Sequence, residues 1–259
     1  MPQPVRRPSP PAREASNNHR MSGVDPLTAE PDAIPRRSPG GPLRLSDVAR
    51  AFARHHSPKL IATGLGAALA ARLAIGHWSW RDIVIPLALI AFEPLTEWVI
   101  HVYLLHARPI RIRGRGHDLL AAREHRAHHA APAELDGVLV PTYALLIFLP
   151  AIAAILFAIS FPIHLLLGGD RVAWWLSGLA VGYSILFSYE WCHFLIHSPY
   201  QPRGRYYKVI WRNHRLHHYK NERYWFGVTS HLGDVVLGTN PEQSAVPKSP
   251  TARTLMLRS

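Results

Sequence analysis

Four apolar stretches, each 17 residues or longer, constrain this chain more than any other feature; they run over 60–76, 83–105, 138–168 and 172–196. A helix rises about 1.5 Å per residue, so even the shortest reaches about 25 Å, just enough to cross the hydrocarbon of a bilayer. Backbone in lipid must satisfy its own hydrogen bonds, so such runs are expected as helices. The third stretch is over-long and carries Pro141, Pro150 and Pro162; it reads as one tilted helix plus an interfacial stretch rather than a re-entrant hairpin. Trp78, Trp80, Trp174 and Trp175 stand at segment ends, where aromatic belts form.

Charge decides how these segments are oriented. The chain carries 29 basic against 17 acidic residues, a net +12. A basic chain suits nucleic acid or an anionic membrane surface. Here 25 of the basic residues are arginines that almost all flank the apolar runs, which favours the membrane and excludes a nucleic-acid partner. Nine arginines precede Leu60, six lie in 107–137, and ten basic residues follow 197. The two short turns at 77–82 and 169–171 carry one arginine each. By the positive-inside rule, both termini and the 107–137 connection are expected in the cytoplasm, with four crossings between them.

The flanks read differently. Residues 1–42 hold ten of the 23 prolines among Arg, Ser and Gly, and are expected as a disordered tail in which Met21 offers a second start. The N-terminus has no apolar core of the secretory type, so no cleaved signal is expected. Over 43–57, Ser46-Asp47 is a candidate cap for an interfacial helix running to about His56, with Val48, Ala49, Phe52 and Ala53 on one face. A membrane catalytic domain is expected over 58–240 and a flexible tail over 241–259. Cys192, the one cysteine, excludes disulfides within the chain and any cysteine-based metal site.

Histidine is the anomaly, at 17 residues. Ten of them form four groups: His101 with His106, then His125, His128 and His129, then His193 with His197, then His214, His217 and His218. All four groups fall on the side assigned to the cytoplasm. On a helix, positions i, i+3 and i+4 share a face, so each HxxHH is expected to aim three imidazoles at a common point. His101 and His106 diverge by about 140° on an ideal helix of ~3.6 residues per turn. Either they serve different metals or the helix loosens there. Ten imidazoles exceed the needs of one ion and suit two with open positions; the donor type fits iron, zinc, copper or nickel.

The order HxxxxH, HxxHH, HxxxH, HxxHH resembles the fatty acid hydroxylase superfamily of membrane non-haem di-metal enzymes, with its sterol desaturase-like and carotene hydroxylase-like branches. The resemblance runs from Glu93 to Thr239 and includes YEWCHFLIH (189–197), NHRLHHYKNERYWFGV (213–228) and DVVLGT (234–239). It implies an all-α integral-membrane bundle of about four helices under a cytoplasmic histidine-rich cap, in which the ten histidines hold two irons. It implies an oxidoreductase that uses dioxygen and two external electrons to hydroxylate or desaturate a lipid C–H position. Zinc is a substitute that purification can introduce. Some members carry a fused cytochrome b5 domain; this chain has no room for one, so a separate electron-donor protein is expected.

Metal-bound imidazoles usually donate their other N–H to a carboxylate or carbonyl, which makes Glu97, Asn221 and Asp234 candidates for that supporting role. Two other functions compete. A zinc hydrolase usually mixes histidine with carboxylate ligands, as in HExxH, which does not occur here. A metal transporter places its ligands near the bilayer midplane, whereas these groups cluster toward one face.

Overall fold

The structure is a computed structural model that describes residues 44–113 and 115–255. The Pro/Arg-rich tail over 1–42, with Met21, lies outside the described residues. Among the described residues, four segments are long and apolar enough to cross a membrane: His56–Ile75, Trp80–Leu105, Leu135–Leu167 and Arg171–His197. Their helices are α2 (His56–Ile75), α3 (Val84–Val99), α5 (Thr142–Leu167) and α6 (Arg171–His197). The third is one helix of 26 residues that keeps Pro150 and Pro162 inside it, behind a single 3₁₀ turn at Leu135–Gly137, so it is no hairpin.

Helix α6 is the axis of the bundle and packs against α2, α3 and α5. Small residues let it approach its neighbours. A Cβ added at Gly178 would lie 2.5 Å from Cγ2 of Ile85, so only glycine admits α3 at this distance. Ile61, Ile85, Leu145, Leu156, Trp174 and Leu179 fill the interior. The outer faces are equally apolar: Leu87, Ile90, Phe92, Leu146, Ile155 and Leu166 are exposed, the last at 82%. Such a surface suits lipid rather than water. The chain is a multi-pass membrane protein.

At the end with the short turns, Arg72 and Asp82 form a buried pair at 2.8 Å, and Arg72 also donates to the His77 carbonyl and to Ser177 Oγ, each at 3.0 Å. The opposite end carries the shorter elements: α1 (Leu45–Phe52), α4 (Leu120–Ala130), α7 (Arg205–Tyr219) and α8 (Leu232–Val236).

Three local expectations change. Helix α1 starts at Leu45 with Asp47 accepting from the Arg44 amide (3.2 Å), and it ends at Phe52, short of His56. It buries Val48, Ala51 and Phe52, with Phe52 against Phe187, Trp191 and Phe194 of α6, so Ala53 is off the packed face. A two-stranded hairpin, β1 (Ile110–Ile112) antiparallel to β2 (Arg115–His117), interrupts the all-α pattern in the arginine-rich connection. Residues 241–255, within the segment expected as a flexible tail, pack back on the cap and bury Val246, Ala252 and Leu255. The apolar residues there are few and unperiodic, so only the tertiary surface could recruit them.

Candidate metal centre

All ten histidines of the four groups meet at the cap end of the bundle. His101, His106, His125, His129 and His217 make one cluster; His128, His193, His197, His214 and His218 make a second. Within each, one ring nitrogen from every histidine lies within 4.8 Å of the others. Nitrogens bound to one ion at about 2.1 Å stand no more than about 4.2 Å apart, so each cluster needs little contraction to close on a cation. The two clusters abut, with the rings of His129 and His218 at 4.1 Å between centroids.

This partition corrects the expectation for the HxxHH motifs. Neither triplet converges on one point. In α4, His125 and His129 turn to the first cluster and His128 to the second. In α7, His214 and His218 turn to the second and His217 to the first. Positions i and i+4 differ by about 40° around a helix while i+3 lies on their other flank, so each motif straddles the boundary between clusters. The HxxxxH question resolves toward loosening. The helix after Val99 widens into a π turn over Ile100–Leu105, closed by the His106 amide donating to the His101 carbonyl at 3.0 Å. That wide turn brings residues five apart onto one side, and the two rings sit 5.0 Å apart in the same cluster.

The donor chemistry calls for a cation. His101 Nδ1 donates to the Phe226 carbonyl (2.5 Å), His129 Nδ1 to Ala252 (2.8 Å) and His217 Nδ1 to Tyr224 (2.8 Å). A carbonyl only accepts, so in the neutral ring the lone pair is left on Nε2, aimed inward. His125 Nε2 lies 3.1 Å from that of His101 and 3.2 Å from that of His129. In the second cluster, His214 Nε2 lies 3.1 Å from that of His197 and 3.0 Å from that of His218. Among the described residues, buried nitrogens of His106, His128 and His217 find no protein partner. Burial first, then the neighbouring imidazoles, holds His125, His128, His214, His217 and His218 far below the usual histidine range. Burial likewise brings His129 down to about 3. Neutral imidazoles that gather one nitrogen each within 4.8 Å are what a transition metal binds, so the residues fit two ions.

The supporting residues act one step further out than expected. Glu97 accepts from the amides of Val228 and Thr229 and from the Thr229 hydroxyl rather than from a histidine. Asp234 accepts from the amides of Phe226 (2.9 Å) and Gly227 (2.8 Å) and from Thr239 Oγ1 (2.6 Å). Asn221 accepts from the Arg223 amide (3.1 Å) and donates to the Pro247 carbonyl (3.2 Å). All three fix loops, and the loops supply the carbonyls. Trp225, buried and left-handed at φ 58°, lies between the two carbonyls that face His217 and His101. A non-glycine residue held there is strained, and such strain persists only where its surroundings fix it. No residue-type signal marks the carbonyls of Tyr224, Phe226 or Ala252, because any residue supplies one.

A small cavity of about 140 Å³ reaches His128 and is lined by Glu124, Glu134, Asp136 and Leu139. Its size suits water rather than a lipid chain.

Residues 86–239, more than half of the chain, match the fatty acid hydroxylase model. The chain belongs to the fatty acid hydroxylase family. Relatives within or near it include the Arabidopsis thaliana dihydroceramide fatty acyl 2-hydroxylase, 30% identical over 62% of this chain and 63% of that one. The Rattus norvegicus fatty acid 2-hydroxylase is 28% identical over 60% of this chain and 38% of its own. The Saccharomyces cerevisiae ceramide very long chain fatty acid hydroxylase is 29% identical over 56% and 35%. The chain therefore spans less than two thirds of each relative. The solved structure of full-length scs7p, in which only the hydroxylase domain is visible, shares the fold with a TM-score of 0.54 at 21% identity, covering 88% of this chain and 73% of that one. All ten clustered histidines lie inside the segment that the family model matches.

Proposed function

We propose that the protein is a membrane di-iron hydroxylase that inserts one oxygen atom of dioxygen into a C–H bond of a fatty acyl lipid. The observation that carries this reading is the pair of five-histidine clusters, each bringing one ring nitrogen per histidine within 4.8 Å of the others. Iron bound there would supply dioxygen activation: one dioxygen, two electrons and two protons convert C–H to C–OH and release one water. The first ion is held by His101, His106, His125, His129 and His217, and the second by His128, His193, His197, His214 and His218. Zinc is the substitute expected after aerobic purification. The protein's own work is to keep the clustered imidazoles neutral, fix the tautomers of His101, His129 and His217 through backbone carbonyls, and hold both sites at the bundle end, within reach of a chain lying in the bilayer. The acyl-hydroxylase names of the relatives favour a fatty acyl substrate, and desaturation of the same lipids is the second reading, supported by the shared histidine pattern.

The test supplies membranes containing the protein with labelled dioxygen, a reductant system and total lipid extract, followed by mass spectrometry. Label in a hydroxylated acyl chain is expected. A new double bond without label moves the assignment to a desaturase, and turnover that needs neither dioxygen nor reductant ends the oxygenase reading in favour of a zinc hydrolase.

The electrons come from a separate donor protein, and the cage faces the cytoplasm. The second statement is supported by the arginines at the cap end, which flank α2, α4 and α7. A reporter active only outside the cytoplasm, fused after Ser259, should stay silent. Strong reporter activity would mean the opposite orientation.

A further inference from the structure

The segment 241–255 follows the part of the chain that the family model matches, yet it reaches the metal centre. It leaves the loop after α8 and crosses the C-terminal end of α7. There the Ser249 amide donates to the Lys220 carbonyl (2.7 Å), Asn221 Nδ2 to the Pro247 carbonyl (3.2 Å), and Thr251 Oγ1 to the buried carboxylate of Glu222 (2.6 Å). It then arrives at the end of α4. The Ala252 carbonyl accepts the Nδ1 proton of His129 (2.8 Å), while Arg253 donates through Nε to the His129 carbonyl (2.7 Å) and through Nη2 to the Ala130 carbonyl.

These contacts do two jobs at one residue. The last carbonyls of a helix have no intrahelical partner, and a cation there both bonds them and complements the helix dipole. Arg253 thus fixes the backbone of His129. Ala252 fixes its ring, because a proton held on Nδ1 leaves the lone pair on Nε2, 3.2 Å from His125 Nε2. Burial of Ala252 and Leu255 anchors the segment on both sides of the arginine.

We infer that residues 249–255 are a strap that sets the first metal site through His129, and that Arg253 is its positioning residue. The inference rests on the two-ion reading above. His129 belongs to the first cluster alone, so loosening the strap should labilise one ion and spare the other.

The experiment uses the full-length protein in detergent, loaded with Zn(II) and challenged with a chromophoric chelator, with helicity and thermal melting followed in parallel. Wild type, R253A, R253Q and R253K are compared. Loss of an outer-shell partner typically costs about 10–100-fold in metal affinity. R253A and R253Q should therefore release one of two zinc ions about 10–100-fold faster, with the other at the wild-type rate and helicity unchanged. R253K, which keeps the cation but loses the fork, should recover part of the difference. Release of both ions at wild-type rates, equal acceleration of both, or loss of helicity in both R253A and R253Q would overturn the strap. Wild-type protein that binds no zinc would overturn the metal-centre reading and the strap with it, whereas wild type holding two ions isolates a failure of the strap alone.

Discussion

Replacing His217 by alanine should abolish product formation, by at least about 100-fold, while the protein stays folded in the membrane. The side chain is fully buried, and the rings of His101, His106 and His129 surround it at 4.7, 5.0 and 4.9 Å. Its Nδ1 is engaged by the Tyr224 carbonyl, so its free Nε2 has only the cluster to serve. Loss of an outer partner alone typically costs about 10–100-fold in metal affinity, and loss of the imidazole itself should exceed that. His217 lies outside every apolar span, so membrane insertion and helical content should be kept. Elemental analysis of anaerobically purified protein should fall from near two irons per chain toward one. His117→Ala, at the exposed end of the hairpin, is the control and should match wild type. An H217A protein with full iron and full turnover would remove His217 from the first site.

Asp234→Asn should be nearly as damaging although it changes one atom and touches no histidine. Both carboxylate oxygens accept, from two amides and one hydroxyl. Burial pushes this carboxyl above its ordinary range, and the three donors pull it back. An asparagine keeps one acceptor and turns an NH₂ toward a donor, so at least one buried N–H loses its partner, at about 1–3 kcal/mol. The loop so loosened carries the Phe226 carbonyl that holds His101 in its tautomer. The expected result is a lower melting temperature together with faster loss of an ion from the His101 cluster. Asp234→Glu should rescue neither, because the longer side chain cannot keep both amides. Wild-type melting and metal retention in D234N would show that the loop is held by other contacts.

Much of this was legible in the chain itself. The four apolar runs announced the spans because lipid leaves a backbone no other regular form, and each of the four structural spans overlaps its sequence counterpart. The histidines announced themselves by number, spacing and position at segment ends. Family membership was legible too, because the four motifs occur in a fixed order within the segment 86–239, more than half of the chain, that the family model matches.

Other features depended on three dimensions. That a HxxHH motif divides its rings between two clusters follows from where α3 and α6 stand around α4 and α7, which spacing on one helix does not encode. The π turn that brings His101 and His106 together is a backbone choice with no marker beyond the spacing itself. Glu97 and Asp234 were identified by residue type, but their partners are amides more than a hundred residues away for Glu97 and in the preceding loop for Asp234. The carbonyls that set the tautomers, and the C-terminal strap behind His129, had no sequence signature at all. Residue chemistry and periodicity are written locally, so the sequence determined the membrane, the spans and which ten histidines gather at the cap. Which nitrogen meets which partner depends on backbone groups that every residue carries, and only tertiary packing selects among those.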